Sequence, residues 1–147
     1  MKTFFFVLFL GCSALFAQEF NSEQKAIADI IQTAYVEGLQ NEGDSAKIDQ
    51  GFHPDFKLLG KGNENALRQY AIEPWRSRQI KAKANGKLPR KEENKVSITF
   101  EFIDITADVA VAKLNYLEGG IQTYVDYITL YKYDGGWKMI SKAFHKI

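Results

Sequence analysis

The C-terminal half of the chain alternates hydrophobic and polar residues over four consecutive stretches. A period of two is typical of β-strands that bury one face. Short turn sequences separate the stretches: Thr106-Ala107-Asp108, Gly119-Gly120 and Asp134-Gly135. The pattern therefore predicts an antiparallel meander of four strands, at Val96–Ile105, Val109–Glu118, Thr123–Tyr133 and Trp137–His145.

The turns also predict which residues pair across the meander. A two-residue turn at Asp134-Gly135 pairs Tyr133 with Gly136 and so sets the partners of the last two strands. The Gly119-Gly120 turn and the first turn set the partners of the other strands in the same way. The expected pairs are Leu130–Met139, Ile128–Ser141, Asp126–Ala143, Tyr124–His145, Tyr116–Tyr124, Leu114–Asp126, Ala112–Ile128, Phe102–Ala112 and Phe100–Leu114. This register gives the sheet one dry face and one wet face.

The dry face is expected to be almost entirely hydrophobic. It collects Val96, Ile98, Phe100, Phe102, Ala110, Ala112, Leu114, Ile128, Leu130, Trp137 and Met139. The wet face collects Ser97, Thr99, Glu101, Lys113, Asn115, Thr129, Lys138 and Lys142. Two polar residues, Asp126 and His145, fall on the dry face and need a separate explanation.

The N-terminal half has helical periodicity. A first helix begins at Asn21 or Ser22 and ends at Gly43, with hydrophobic residues on one side. Those residues are Ile27, Ile30, Ile31, Ala34, Tyr35 and Leu39. Asp44 caps a short second helix that carries Ile48 and Phe52 inward and stops at His53-Pro54.

Two short strands and a third helix complete the predicted elements. The strands lie at Phe56–Leu59 and Leu67–Ala71, and Pro74 is expected at the first position of a helix that reaches Ala84. Lys87–Lys95 is a polar loop. Because the dry face of the sheet must be covered, we expect all three helices to pack against it in one α+β domain, residues 18–147.

The first 17 residues are predicted to be a secretory signal peptide rather than part of the fold. Lys2 precedes an apolar run, and Ala17-Gln18 fits a cleavage junction. We therefore expect a periplasmic or secreted protein. Cys12 leaves a second interpretation open, a lipoprotein cleaved at Gly11/Cys12, although the apolar run continues to Phe16.

Charge excludes one class of partner. The chain has 19 Lys and Arg and 18 Asp and Glu, so removal of Lys2 leaves 18 of each. A neutral surface argues against nucleic acid, and no membrane contact is expected unless Cys12 is lipidated. One segment is locally basic, with only Glu92 and Glu93 opposing Arg76, Arg78, Lys81, Lys83, Lys87, Arg90, Lys91 and Lys95. It fits an anion-attracting surface or, as we favour, a solvated loop.

Asp126 is the leading candidate for chemistry, since a buried carboxylate must be paired, hydrogen-bonded or protonated. It could act as a general base or ligand acceptor, or anchor a tyrosine hydroxyl. His145 should lie diagonal to Asp126 on the same face, and His53 lies near the expected pocket mouth. Both histidines have alternative roles, as a terminal cap and a turn residue.

Aromatic residues with polar tips are candidates to line a pocket. Tyr116, Tyr124 and Trp75 fit that role, whereas Trp137 fits the core better. On the wet face, Val125, Tyr127, Tyr131, Ile140 and Phe144 form a mixed patch that suggests a homodimer. No ligand-type spacing supports a metal site, and Ser141 has no base placed on it.

The C-terminal hairpin carries a resemblance to a known family. Tyr124-Val125-Asp126-Tyr127-Ile128-Thr129-Leu130, Asp134-Gly135-Gly136-Trp137-Lys138 and Phe144-His145 are similar to the family labelled putative lumazine-binding. That family lies in the nuclear-transport-factor-2-like (SnoaL-like) superfamily. The basic segment from Lys81 to Lys95 is longer and more charged than the family pattern.

The resemblance implies a cone of three helices on a curved antiparallel sheet around a pocket, often in a dimer. It implies a small, partly apolar and planar ligand. Isomerases, dehydratases and cyclases share the fold, so an enzyme that uses Asp126 with His145 or His53 is an alternative. A dimeric interaction module with a filled core is a third. None of these interpretations assigns a cofactor.

Overall fold

The computed structural model describes residues 19–147, so the predicted signal peptide and the lipoprotein alternative lie outside the described part of the chain. The helices are α1 (Ser22–Ile30), which continues as a π-helix (Ile31–Glu42), α2 (Ser45–Gly51) and α3 (Ile72–Ala84). The strands are β1 (Phe52–Lys61), β2 (Leu67–Ala71), β3 (Val96–Thr106), β4 (Val109–Glu118), β5 (Ile121–Tyr133) and β6 (Gly136–Lys146).

The predicted helix boundaries agree closely with the structure at the caps. Asn21 accepts the backbone N–H of Gln24 in a capping box, and Asp44 accepts that of Lys47. Gly43 ends the π-helix with φ +64°, and a Cβ there would lie 2.5 Å from Gln79 O. Glycine is therefore required at this helix end.

Two helix ends differ from prediction. α2 ends at Gly51, and Phe52 already has extended geometry because it begins the strand that pairs with Met139 of β6. His53-Pro54 therefore lies in β1 rather than at a helix end. α3 begins at Ile72, so Pro74 is its third residue, where the backbone N–H would have no helical partner in any case.

The strands form one sheet in the order β2-β1-β6-β5-β4-β3. The predicted meander is present, and β1 adds to β6 in parallel while the other neighbours are antiparallel. All three helices and the π-helix cover one face, where the buried hydrophobic residues form a single cluster with the inward side chains of the sheet. No helix within residues 19–147 is long and apolar enough to cross a bilayer.

The meander contains three β-bulges, at Glu101 in β3, Thr123 in β5 and Ile140 in β6, and each bends its strand. The β4–β5 register is confirmed, with Tyr116 opposite Tyr124 and Leu114 opposite Asp126. The bulges in β3 and β6 each interrupt the strict alternation on which the prediction relied.

In β3 the predicted partner of Phe102 is wrong. Phe100 pairs with Leu114 as expected, but Glu101 is the extra residue, so Phe102 pairs with outward-facing Lys113 and is 37% exposed. Ile103 takes its place in the core, opposite Ala112. A bulge shifts every later residue of its strand to the opposite face.

In β6 the same effect reverses the facing of every residue after Ile140, from Ser141 to Lys146. Leu130 pairs with Met139 as expected, but Ile128 pairs with Lys142, Asp126 with Phe144 and Tyr124 with Lys146. The predicted partners Ser141, Ala143 and His145 are therefore wrong. Lys142 and Phe144 turn to the helix-covered side, and His145, opposite Val125, lies exposed on the outer side.

Candidate functional site

A buried lysine and a buried aspartate meet a tyrosine beneath the helices. Lys142 Nζ lies 2.8 Å from Asp126 Oδ2 and donates to the hydroxyl oxygen of Tyr35 at 2.7 Å. The Tyr35 hydroxyl in turn donates to the same Oδ2 at 2.9 Å. The Asp126 side chain is 0% exposed and that of Lys142 is 8% exposed. Removal of either charge would leave the other buried without its counter-ion.

The triad explains how the carboxylate of Asp126 can be buried. Its carboxylate does lie on the dry face, and it is paired rather than isolated. Its second oxygen, Oδ1, has no hydrogen-bond partner among residues 19–147. Asp126 holds Tyr35 and Lys142 in place, which includes the anchoring role that was weighed as the alternative to catalysis.

Lys142 was predicted to lie on the wet face, because strict alternation along β6 places it there. A signal was present in β6: Trp137 and Met139 have one parity, whereas Phe144 has the other. A change of parity within one strand is the expected mark of a bulge between the two hydrophobic groups. The bulge at Ile140 accounts for it.

The π-helix supplies the opposite wall. Its i→i+5 hydrogen bonds place residues five apart one above the other, so Tyr35 and Gln40 both face the sheet. Gln40 Oε1 lies 3.2 Å from the Tyr116 hydroxyl. In an α-helix these two side chains would point in different directions, so the π geometry is what brings both to the site.

These residues line a cavity of about 370 Å³. Its apolar part is aromatic, with a polar rim of arginine, glutamine and glutamate. The lining residues are Tyr35, Gln40, Leu58, Trp75, Arg78, Gln79, Arg90, Tyr116, Glu118, Tyr124, Lys142 and Phe144. Trp75, Tyr116 and Tyr124, proposed from sequence to line a pocket, therefore meet in one cavity with Lys142 at its floor.

Aromatic rings surround the ammonium group of Lys142. Nζ lies 4.8 Å from the ring centroid of Tyr35, 5.4 Å from Phe144, 5.9 Å from Trp75 and 6.0 Å from Tyr116. Such rings attract a cation through their negative faces. Among residues 19–147 the ammonium donates to Tyr35 and Asp126, which leaves its third N–H without a protein acceptor in that part of the chain.

Burial changes the proton affinities at the site. It lowers the pKa of Lys142, and the adjacent Asp126 carboxylate opposes that shift. Burial, followed by the charge of Asp126, raises the pKa of Tyr35 well above its ordinary value. Burial and Glu118 raise the pKa of Tyr116. Both tyrosine hydroxyls therefore keep their protons at neutral pH, while the Lys142 amine loses its proton more readily than a solvated lysine.

One arginine of the basic segment is built into the rim. Arg90 donates its backbone N–H to Asn41 O at 2.8 Å and its Nε to Gln40 O at 2.9 Å, which satisfies free carbonyls at the end of the π-helix. Its Nη1 lies 3.5 Å from Glu118 Oε1. The segment is therefore not a wholly solvated loop, since Arg78 and Arg90 both line the cavity.

The two histidines do not join this site. His145 lies on the exposed outer side, so its predicted position diagonal to Asp126 on the same face is wrong. His53 stacks on Tyr133 at 5.3 Å and accepts the backbone N–H of Asp55 at 3.1 Å. It lines a separate depression with Arg76 and other residues at the start of α3. Within residues 19–147 no three His, Cys, Asp or Glu side chains group as metal ligands would.

Two other features bear on where the site lies. A larger depression of about 840 Å³ lies beside Gly119 and Gly120. Its charged side chains include Lys95 and Glu92, which form an exposed ion pair 3.6 Å apart rather than a buried one. Trp137 is buried in the core and donates its indole N–H to Glu23 at 3.0 Å, as its predicted packing role requires. The buried ionic pair distinguishes the smaller cavity.

The fold and the cavity define the class of protein as nuclear-transport-factor-2-like, with helices packed on a strongly curved sheet. Two NTF2-like proteins of unknown function have similar structures. That from Silicibacter pomeroyi DSS-3 has a TM-score of 0.64 and 17% identity over 84% of this chain and 94% of its own. That from Shewanella baltica OS155 has a TM-score of 0.62 and 23% identity over 88% and 98%.

The sequence identifies the family within that class. A family model described as putative lumazine-binding matches residues 22–145, and the chain belongs to this family. The chain is also similar to aldolase FrzH from Cladobotryum sp, with 28% identity over 119 residues, or 79% of this chain and 87% of that protein. The predicted α+β cone fold and the family resemblance are both confirmed.

Proposed function

We propose that this protein binds a small, flat molecule that carries an acceptor oxygen. One observation carries the proposal: a cavity of about 370 Å³ with aromatic walls has at its floor an ammonium whose third N–H meets no acceptor in residues 19–147. Cavities of roughly 300–1,000 Å³ are typical of small-molecule sites. The family description names lumazine, a flat bicyclic dione, and such a molecule has both the shape and the carbonyl oxygens.

The walls and the floor contribute different parts of the recognition. Tyr124 and Phe144, whose ring centroids are 5.7 Å apart in an edge-to-face arrangement, offer apolar surface for a flat ring. Lys142 offers a charge-assisted hydrogen bond to a carbonyl or anionic oxygen. Arg78 at the rim adds positive charge that favours an electron-rich ligand.

Lumazine binding by Tyr124→Ala and Tyr127→Ala variants tests the wall. Both tyrosines lie in β5, but Tyr124 lines the cavity, whereas Tyr127 is 44% exposed on the outer face. Calorimetric titration should show about fivefold weaker binding for Tyr124→Ala, since an aromatic contact contributes about 1 kcal/mol. Tyr127→Ala should bind like the wild type.

The role of Lys142 at the cavity floor is tested by changing the ligand rather than the protein. Quinoxaline is flat and bicyclic but has no carbonyl, and it should bind at least about tenfold more weakly than lumazine, because a hydrogen bond to a charged donor contributes about 1.5–3 kcal/mol. Equal affinities would remove Lys142 from ligand recognition. Equal effects of the two tyrosine substitutions, or no binding of either compound, would contradict the proposed cavity.

A second candidate function is catalysis on a carbonyl compound. The observation that favours it is the Lys142–Asp126 pair at the cavity floor, where a carbonyl oxygen bound to Lys142 would be polarised. The likeness to an aldolase supports the same substrate class. The catalytic pair proposed here is Asp126 with Lys142, in place of the histidines suggested by the sequence. Incubation with an aromatic aldehyde and acetone, followed by NMR, tests for aldol products.

Export and dimerisation remain part of the proposal on sequence grounds. Residues 1–17 have the composition of a signal peptide, so the mature protein should begin at Gln18. Mass spectrometry of the N-terminus distinguishes this from a lipidated Cys12. For the outer face, Tyr127 and Tyr131 are 44% and 39% exposed as expected, whereas Phe144 has turned into the cavity. Light scattering tests for the homodimer.

A further inference from the structure

The cavity contains one side chain with the chemistry of an amine nucleophile. Among the residues that line it, Lys142 has the one primary amine, while Arg78 and Arg90 have guanidinium groups that do not lose their protons in proteins. A lysine in a dry pocket is the usual form in which proteins use an amine as a nucleophile toward carbonyls.

The surroundings of Lys142 meet the requirements of that chemistry. Four aromatic rings lie within 6.0 Å of Nζ, and the Lys142 side chain is only 8% exposed, so little of the amine is solvated. Asp126 Oδ2 lies 2.8 Å from Nζ, close enough to accept its proton directly. Asp126 does not itself line the cavity, so it reaches the reacting nitrogen from behind and leaves the front open to a ligand.

We propose that Lys142 forms an imine with an aldehyde or ketone bound in this cavity. The inference rests on the proposed binding of a flat carbonyl-bearing molecule and adds to it a covalent step and the residue that performs it. Asp126 serves as the proton acceptor and donor for the reaction, and Tyr35 holds both groups in position through its two hydrogen bonds.

The step balances without an oxidant, a reductant or a further reactant. The Lys142 ammonium passes a proton to Asp126, and the free amine attacks the carbonyl carbon to form a C–N bond. The attacking nitrogen then loses a second proton, which the former carbonyl oxygen takes up to give a neutral carbinolamine. The carbinolamine then expels its oxygen as water, with a proton returned from Asp126. The products are a protonated imine and one water molecule for each carbonyl compound and ammonium consumed.

Reductive trapping tests this directly. The protein is incubated near neutral pH with benzaldehyde and sodium cyanoborohydride, and benzylated lysines are located by peptide mass mapping. Lys142 should be labelled several-fold faster than exposed lysines such as Lys61 and Lys146, since burial lowers its pKa and leaves more of this amine unprotonated. Lumazine added as a competitor should slow the labelling of Lys142 alone.

The wild-type map decides the question without any variant, which matters because Lys142→Met leaves Asp126 unpaired and can unfold the chain. Where that variant remains folded, the fast label should be absent. Labelling spread evenly over the exposed lysines, with lumazine binding still sensitive to Tyr124→Ala, would overturn the imine and leave the binding proposal intact. Fast labelling of Lys142 in a protein that does not bind lumazine would support the imine and overturn the proposed ligand.

Discussion

Removal of Lys142 tests the central feature of the site, its buried ionic pair. Lys142→Met keeps a long apolar side chain but leaves the fully buried Asp126 without its partner. The second carboxylate oxygen of Asp126 already has no partner among residues 19–147, so only the Tyr35 hydroxyl would remain to it. Breaking a buried pair in this way costs about 3–5 kcal/mol of the free energy of unfolding.

Urea denaturation measures this loss. At an m-value of about 2 kcal/mol/M, the midpoint should fall by roughly 1.5–2.5 M without a change of slope. Asp126→Asn should also destabilise the protein, since it strands the ammonium. The double variant should lose much less than the sum of the two, because neither buried charge then lacks a partner.

An exposed pair in the same protein provides the control. Lys25 and Asp29 are also 2.8 Å apart, but their side chains are 68% and 64% exposed. Their coupling should be only about 0.3–0.5 kcal/mol. If the Lys142 and Asp126 substitutions were additive, or each cost as little as those at the exposed pair, the reasoning that the buried pair organises the site would be refuted.

Three further outcomes follow from the structure. Burial lowers the pKa of Lys142 below its ordinary 10.5, so between the folded and unfolded pKa values the unfolded chain binds more protons and stability should rise with pH. Above about pH 10 the raised pKa of Tyr35 should reverse this rise, because the unfolded chain then binds fewer protons. Urea midpoints measured against pH would reveal both effects, and Lys142→Met should remove the rise. Deletion of Ile140 removes the bulge and should turn Lys142 outward, with loss of lumazine binding and a melting temperature well below that of the wild type. Asn41→Ala removes two buried 2.9 Å hydrogen bonds to the first residue of β3 and should cost about 2–4 kcal/mol in urea denaturation. Half-buried Asn115, whose hydrogen bonds to Thr99 and Gln122 lie at the surface, should cost a few tenths when replaced by alanine.

Local patterns were enough to predict most elements. The alternation of β4 and β5 and the turn at Gly119-Gly120 led to the correct pairing of Leu114 with Asp126. Caps at Asn21 and Asp44 set the helix starts. These features depend on residues close together in sequence, so sequence reasoning can reach them.

The candidate site was only half accessible to the same reasoning. The burial of Asp126 follows from the pattern of its own strand, in which hydrophobic neighbours two residues away fix its face. The identity of its partner cannot be predicted in this way, because the face on which Lys142 lies depends on whether Ile140 pairs with a residue of β5 or bulges out. Likewise, helical spacing placed Tyr35 inside, but the five-residue repeat that brings Gln40 beside it belongs to the π-helix.

By itself the sequence therefore determined the α+β order of elements, the hydrophobic face of the sheet and the presence of one buried carboxylate. The tertiary structure decided that Lys142 rather than His145 meets that carboxylate, and that aromatic residues from helix and sheet enclose the pair. The physical reason is that these features differ from regular structure by a single residue. A bulge adds one unpaired residue to a strand, and a π-helix lengthens the hydrogen-bond repeat from four residues to five. Whether it forms is settled by how the curved sheet and the helices pack together, which involves residues far apart in the chain.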